Sequence, residues 1–544
     1  MPGYSASDQS HFRKRLVEGF PVLDPSHDIY RWLVLASVMI GTFMAVLDAT
    51  IVNVALPKLM TTFGVSVDQI EWVLNAYLLI FAVMLPSSGW VADHWGYKKV
   101  FVIGLVLFTL GSFLCSMAHD FDMLITFRVL QGAGAGFVLP VGMAIITWEF
   151  PPEKRGIALG FWSVAASASV SLGPVLGGYL IDRYDWHVVF DVNVPVGILG
   201  IFVAWIIQRE HRPAPGKSFD IVGFVSLSAG LTALLLALAD GNTAWNTGGW
   251  TSRFILVSFL IAFVGLGVFF ATELIVEHPL IDLSLFRSFN FSMSNLIRAF
   301  FGVGMFGANF LLPIYLQNSL GYTPYQAGLV FLPVGILLGV TAPFAGMFTD
   351  RYDGRIPVAL GLGLMALSMY KFSFLSLSSE SAQIMFPLYL RGIGIGLLMS
   401  PLTTIAISEI PNSKMAQASG LLNVIRQIGG SLGVALFGTI LTRREIFHAA
   451  MYGQQIRQVS GTYQHTVQGL KHFAMLSVGG TLGTAAARAK ALVAMDAQQQ
   501  AFVSAVDDVF RLAFLVLLVS VVPVVFLRRH NRPGEGSRAL DEST

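Results

Sequence analysis

The feature that most constrains this chain is a series of apolar runs, each long enough to cross a bilayer as a helix. The hydrocarbon core of a bilayer takes about twenty residues of α-helix. Fourteen such runs lie near 32–54, 71–92, 99–118, 122–147, 157–181, 188–207, 219–239, 254–274, 293–316, 327–348, 356–377, 383–408, 415–441 and 506–527. In lipid, every backbone N–H and C=O must be satisfied within the protein, so these runs imply a helical bundle. The composition agrees: 54% of the 544 residues are hydrophobic and 12% are charged, against roughly 25% charged in an ordinary soluble domain. A net charge of +2 offers no field for nucleic acid, and no such partner is expected. A single cysteine, Cys115, excludes an intramolecular disulfide and reads as small packing volume. The polar first thirty residues hold Arg13, Lys14 and Arg15 without a short apolar core and cleavage site. The first span is therefore expected to act as its own insertion signal.

An even number of spans places both termini on one side, and the basic residues say which. The tails and alternate loops hold Arg13, Lys14, Arg15, Lys98, Lys99, Lys154, Arg155, Arg209, Arg212 and Lys217, among others. The opposite short loops hold Lys58, Arg183 and Arg253. That bias predicts cytoplasmic termini. The expected site of the protein is the cell (inner) membrane. The long segment 442–505 then lies outside.

The loops repeat. Gly89, Asp93 and Gly96, with Lys98 and Lys99, follow the second run; Gly346, Asp350, Arg351, Gly354 and Arg355 follow the tenth. Arg128 opens a glycine-rich helix ending near Pro140, and Arg391 opens a comparable one ending near Pro401. Two six-helix halves with two extra helices between them fit this pattern. The expected layout is a tail, 1–31; a first bundle, 32–207; two inserted helices with linkers, 208–292; a second bundle, 293–527; and a tail, 528–544. Repeated halves with a site at their interface are the recurrent plan of secondary transporters.

Several motifs are specific. The first run reads Leu47-Asp48-Ala49-Thr50-Ile51-Val52-Asn53-Val54-Ala55-Leu56-Pro57. The loop after the second reads Gly89-Trp90-Val91-Ala92-Asp93-His94-Trp95-Gly96-Tyr97-Lys98-Lys99. The fourth carries Leu124, Arg128, Gln131, Gly132, Gly134 and Ala135; the fifth carries Gly160, Ser169, Gly173, Pro174, Gly177 and Gly178. In order, these resemble the major facilitator superfamily in its fourteen-helix drug:proton antiporter branch (the EmrB/QacA type). His94 and Tyr97 depart from the usual arginines, and Ser169 stands where glycine is usual. The resemblance implies an all-α membrane protein: two six-helix bundles plus two inserted transmembrane helices. It also implies proton-driven multidrug efflux by alternating access, with no cofactor beyond the proton gradient.

Asp48 lies inside an apolar run, where a lone carboxylate costs about 2.5–3.5 kcal/mol on insertion scales. It is expected to face a wet central cavity and carry the proton. Burial favours a neutral carboxyl and a nearby cation favours the charged one, so proton and cationic substrate would compete there. Arg128 is the counter-charge in the same half. The resemblance links it to proton transfer, and holding the bundle together is the other reading. Glu71 is a possible second acid near the outer gate, or a solvated carboxylate. Asp93, Lys98 and Lys99, with Asp350 and Arg351 in the companion loop, are expected to act in gating or to anchor topology. Gly173, Pro174, Gly177 and Gly178 would pack the fifth span closely against the other half. Candidate cavity residues are Asn53, Trp72, Asn75, Tyr77, Phe306, Phe310 and Tyr315; plain packing is the alternative for the aromatic ones.

Arg298, Lys371, Arg391, Arg426 and Arg511 make the second half the more positive one. His448, His465 and His472 in segment 442–505 lack metal-site spacing, and no metal is expected. That segment reads either as a docking element for a periplasmic adaptor and outer-membrane channel or as a lid. No Walker loop or nucleophile–base signature is present, so an enzyme or ATP-driven pump is not expected. The partners expected are small lipophilic compounds, protons and membrane lipid. The alternative cargo is an endogenous metabolite, fatty acid or lipid. A receptor or scaffold on the same fold would bind a ligand without moving it.

Overall fold

The structure is a computed structural model. It describes residues 24, 27–65, 67–70, 72–211, 220–241, 246, 248–277, 279–309, 311–411, 414–455, 467–468 and 482–528. These residues form helices and no strand. The main helices are α1 (Asp28–Phe63), α2 (Trp72–Trp95), α3 (Tyr97–Ser116), α4 (Phe121–Glu149), α5 (Arg155–Arg183), α6 (Asn193–Ile207) and α7 (Ile221–Asp240). They continue with α8 (Arg253–Ile275), α9 (Phe289–Asn309), α10 (Leu332–Arg351), α11 (Arg355–Phe372), α12 (Ser381–Ile407), α13 (Met415–Gln455) and α14 (Leu482–Val519).

Among the described residues, twelve helices are long and apolar enough to cross a membrane. The two remaining expected runs are also helical. Run 293–316 is divided between α9 and Leu311–Asn318. Run 356–377 holds α11, with Arg355 and Lys371 near its ends.

Polar caps start several helices where the apolar runs begin. Asp120 accepts a hydrogen bond from Met123 N at 2.8 Å to open α4. Asp220 does the same for α7 from Gly223 N at 2.8 Å. Each satisfies an N–H that the first turn cannot. Gly64 ends α1 with φ +65°, a conformation that favours glycine, and its N–H reaches Met60 O.

The helices sort into two bundles. In the first, α1 packs on α5, α4 and α6, while α4 packs on α2 and α3. In the second, α9 packs on α13, α12 and α14, and α11 joins α12 to α14. The bundles meet along α5·α10 and α2·α13. The inserted pair α7–α8 packs together, and α7 touches α2 and α13, on either side of the seam. Phe263, Leu274 and Ile275 of α8 are highly exposed. An apolar exterior of this kind suits a lipid solvent.

Helices α13 and α14 extend beyond the bundle and pack together. Asp508 receives Arg444 Nε at 2.5 Å, and His448 lies at 2.8 Å from the same oxygen. Tyr452 and Ser504 meet at 2.9 Å. These contacts tie residues 442–455 to 482–508. His465 and His472 lie outside the described residues, as do the basic residues of both tails up to 23 and from 529.

Candidate functional site

Asp48 and Arg128 are both fully buried and form an ion pair, Arg128 Nη1 to Asp48 Oδ2, at 2.5 Å. The other carboxylate oxygen accepts from Gln131 Nε2 at 2.8 Å and Asn193 Nδ2 at 2.9 Å. Arg128 also donates from Nε to Val73 O at 2.9 Å and from Nη1 to Gln131 Oε1 at 2.7 Å. Its guanidinium lies 4.3 Å from the centre of the Tyr77 ring. Asn193 is held in turn by Ser112 Oγ at 3.1 Å, and Ser112 donates to Phe190 O at 2.9 Å.

The spacing of the sequence explains this convergence. Arg128 and Gln131 are three apart on α4 and share one face. Asp48 sits mid-way along α1, which crosses α4 and α6. A buried charge of either sign is tolerated only when paired and hydrogen-bonded. Here three donors serve one carboxylate.

The sequence reading has Asp48 facing a wet central cavity; the structure encloses it within the first half. The reason is local: Arg128, Gln131 and Asn193 replace the water a cavity would supply. Protonating Asp48 would turn an acceptor oxygen into a donor. That proton would face N–H groups, so the pair with Arg128 would have to rearrange. Arg128 Nη2 has no partner among the described residues, which leaves its two N–H groups ready for a new acceptor.

Helix α5 lies against this network on one side and against the second half on the other. Ser169 donates to Phe43 O at 2.8 Å, and Thr50 donates to Ser169 O at 3.3 Å. A Cβ at Gly173 would stand 2.1 Å from Thr50 Oγ1. Gly173 and Gly177 therefore face α1, not the other half as the sequence reading has it. Gly160, Pro174 and Gly178 do face the other half, near Pro343, Gly328 and Tyr325. A helix of this handedness turns through 100° per residue, so one run of glycines serves two neighbours.

At the basic end the halves are latched. Asp350 accepts from Gly156 N at 2.8 Å and Ile157 N at 3.0 Å, capping α5 from the second half. Ser400 donates to Gly156 O at 2.7 Å. Gly156 and Gly346 meet so closely that a Cβ at Gly346 would stand 2.0 Å from Gly156 O. Removing the charge with Asp350→Asn is expected to weaken the cap by about 1 kcal/mol. Substrate flux in liposomes should fall two- to fivefold, and the melting temperature in detergent should stay close to wild type. An unchanged initial rate would show that the latch is not part of the cycle.

Asp93 is buried and accepts from the Tyr97 hydroxyl at 2.9 Å. Lys98 donates from Nζ to Trp205 O at 2.6 Å. Lys99 and Arg351 are exposed. Two expected cavity residues lie elsewhere. Tyr77 is buried beneath Arg128 and donates to Ala45 O at 3.1 Å. Tyr315 is fully buried in the second core and donates to Ser376 O at 2.5 Å. A phenol finds a partner when buried, and each found a backbone carbonyl. Asn53 and Trp72 are exposed and Asn75 is partly so. Glu71, the Phe306 side chain and Phe310 lie outside the described residues.

Asn193, Ser112, Gly156 and Ser400 are the residues that sequence reasoning missed as site members. The signal for Asn193 was its polarity inside run 188–207. Gly156 and Ser400 gave none, because close contact across the seam depends on the assembled halves.

A model of the Major Facilitator Superfamily matches residues 38–434. The multidrug export protein EmrB of Escherichia coli (strain K12) is 32% identical over 485 residues, covering 88% of this chain and 92% of that protein. The fatty acid resistance protein FarB of Neisseria gonorrhoeae is 31% identical over 500 residues, covering 92% and 96%. Among solved structures, the human organic anion transporter MFSD10 (TETRAN) superposes with a TM-score of 0.57 at 13% identity, covering 90% of this chain and 99% of that one. That last likeness concerns the fold alone. With its paired bundles and seam-facing helices, this multi-pass membrane protein belongs to the Major Facilitator Superfamily, in the group that includes EmrB.

Proposed function

We propose that this protein is an exporter of lipophilic compounds, driven by exchange with protons and working by alternating access. The Asp48–Arg128 pair carries the reading: a carboxylate and a guanidinium held together within the membrane, in contact with the helix that touches the other half. An intramembrane ionisable residue is a functional candidate by default, with its partner named. The relatives named for multidrug export support the cargo class.

Since Asp48 is enclosed in this conformation, substrate and proton do not meet on it. Coupling is then indirect. Protonation loosens the Arg128 pair, α1 adjusts, and α5 passes the change to α10. The latch around Asp350 opens and closes as the halves rock. Both termini are cytoplasmic in this reading, and the membrane is the inner one.

Export of an endogenous metabolite, fatty acid or lipid is the second reading. The relative named for fatty acid resistance favours it. Extended α13 and α14 supply a helical surface for a periplasmic adaptor leading to an outer-membrane channel, as the third element of the proposal.

The test is reconstitution in liposomes with an imposed pH gradient, followed by a screen of lipophilic cations and anions. Gradient-dependent movement that a protonophore abolishes is the expected result. Ligand binding with no flux of any compound would instead make the protein a receptor or scaffold.

A further inference from the structure

We propose that the second half holds a binding site for the head group of a lipophilic carboxylate, centred on Arg298 of α9 and Arg426 of α13. It deepens the export reading and rests on it for its physiological meaning.

Arg298 stands about 14 Å along α9 from its start, and Arg426 about 17 Å along α13, at 1.5 Å per residue. Both guanidiniums are therefore rooted near the middle of a hydrocarbon core about 30 Å thick. The first half neutralises its arginine with Asp48. Arg298 has no such partner: among the described residues, no carboxylate lies within ion-pair distance of it. It is 5% exposed. Its Nη2 donates to the Thr403 hydroxyl, whose own proton is committed to Met399 O at 2.7 Å. Its Nε is buried without an acceptor, and so is the hydroxyl of Ser294, one turn earlier on the same face.

Arg426 stands on α13, the helix packed against α9, and its positive charge opposes that of Arg298. The two helices touch one turn above Arg298, where a Cβ at Gly302 would stand 2.8 Å from Arg426 O. Arg426 is partly exposed, which gives the site an approach. Its Nη2 donates to Asn423 Oδ1 at 3.3 Å.

Two like charges in a low-dielectric interior repel strongly. One anion between them converts that repulsion into two attractions. A carboxylate matches the planar fork of arginine with paired hydrogen bonds. It would also accept from the stranded Nε and Ser294 hydroxyl. The core next to Arg298 on α9 is apolar: Ile297 and Phe301 are buried in the hydrophobic cluster of the second half. A small hydrated anion would lose its water with little in return, whereas an amphiphile leaves its tail in apolar surroundings. The negative charge of Asp48 is already matched by Arg128, so it offers no counterpart for a cation.

The test uses purified full-length protein and scintillation-proximity binding of tritiated laurate. Dodecyltrimethylammonium, with the same tail and the opposite head, is the competitor. Arg298→Met is expected to weaken laurate binding at least tenfold, and Arg298→Lys to hold it within about threefold. Dodecyltrimethylammonium should displace little laurate. Unchanged laurate affinity in folded Arg298→Met, or displacement as efficient as by laurate itself, would overturn the site. If Arg298→Met does not fold, Ser294→Ala decides: it is expected to weaken laurate binding at least threefold, and unaltered affinity overturns the site. Liposome flux separates the two proposals. Gradient-driven flux of cations with no laurate binding removes the anion site and leaves export standing. Laurate binding with no flux of any probe removes export and leaves the site.

Discussion

Asp48→Asn abolishes proton-driven flux and lowers thermal stability as well, whereas Asp48→Asn combined with Arg128→Gln recovers much of the stability and none of the flux. That is the expected pattern if the pair serves coupling. The single substitution strands the Arg128 charge in a fully buried site. Breaking one side of such a pair costs about 3–5 kcal/mol. The new amide also turns a donor toward Arg128, Gln131 or Asn193, all of which are donors to Asp48 at present. The double variant leaves no charge behind, so the stability penalty shrinks. Thermal unfolding in detergent reads the first quantity, and liposome flux under a pH gradient reads the second. Wild-type flux from the double variant would make the pair purely structural.

The second large effect is expected at the seam. Gly346→Leu should stop net transport by at least tenfold while the protein folds and inserts normally. Close contact at Gly156 and Gly346 leaves no room for any side chain. Overpacking costs about 1–3 kcal/mol, and each 1.4 kcal/mol shifts a two-state balance about tenfold. The population would move toward the state with the basic end parted. Ser400 lies at this contact, and Cys115 is buried and slow to react. A Ser400→Cys reporter should therefore label faster with maleimide when Gly346→Leu is present. Equal labelling rates would mean that the halves part elsewhere.

Much of this architecture was readable from the chain. Lengths of apolar runs dictate helices, and the paired Asp93 and Asp350 loops dictate two halves. That Asp48 and Arg128 are charges inside apolar runs of the same half was readable too, and the structure pairs them. Their surroundings were not. A side chain's direction depends on how helices rotate against one another, and apolar helices carry little periodic signal for that. Tyr77 and Tyr315 show the difficulty: a tyrosine lining a cavity and one buried beneath an arginine look identical in sequence. The same limit applied to the glycines of α5. Their spacing announced close packing, but only the assembled bundle assigns Gly173 to α1 and Gly160 to α10. Arg298 was visible as a charge in a span, while its bond from Nη2 to Thr403 and its unpartnered Nε emerge only in the assembled bundle.

The Asp48 network draws every one of its members from α1, α2, α3, α4, α6 and the short helix that precedes α6, so it is complete within one half of the molecule. On the roles proposed above, the proton-coupled pair and the anion site stand in separate halves. With that division, changes in the second half would alter the cargo and leave the coupling pair untouched. Grafting the second half of a relative onto this first half should exchange what is carried and preserve what is consumed.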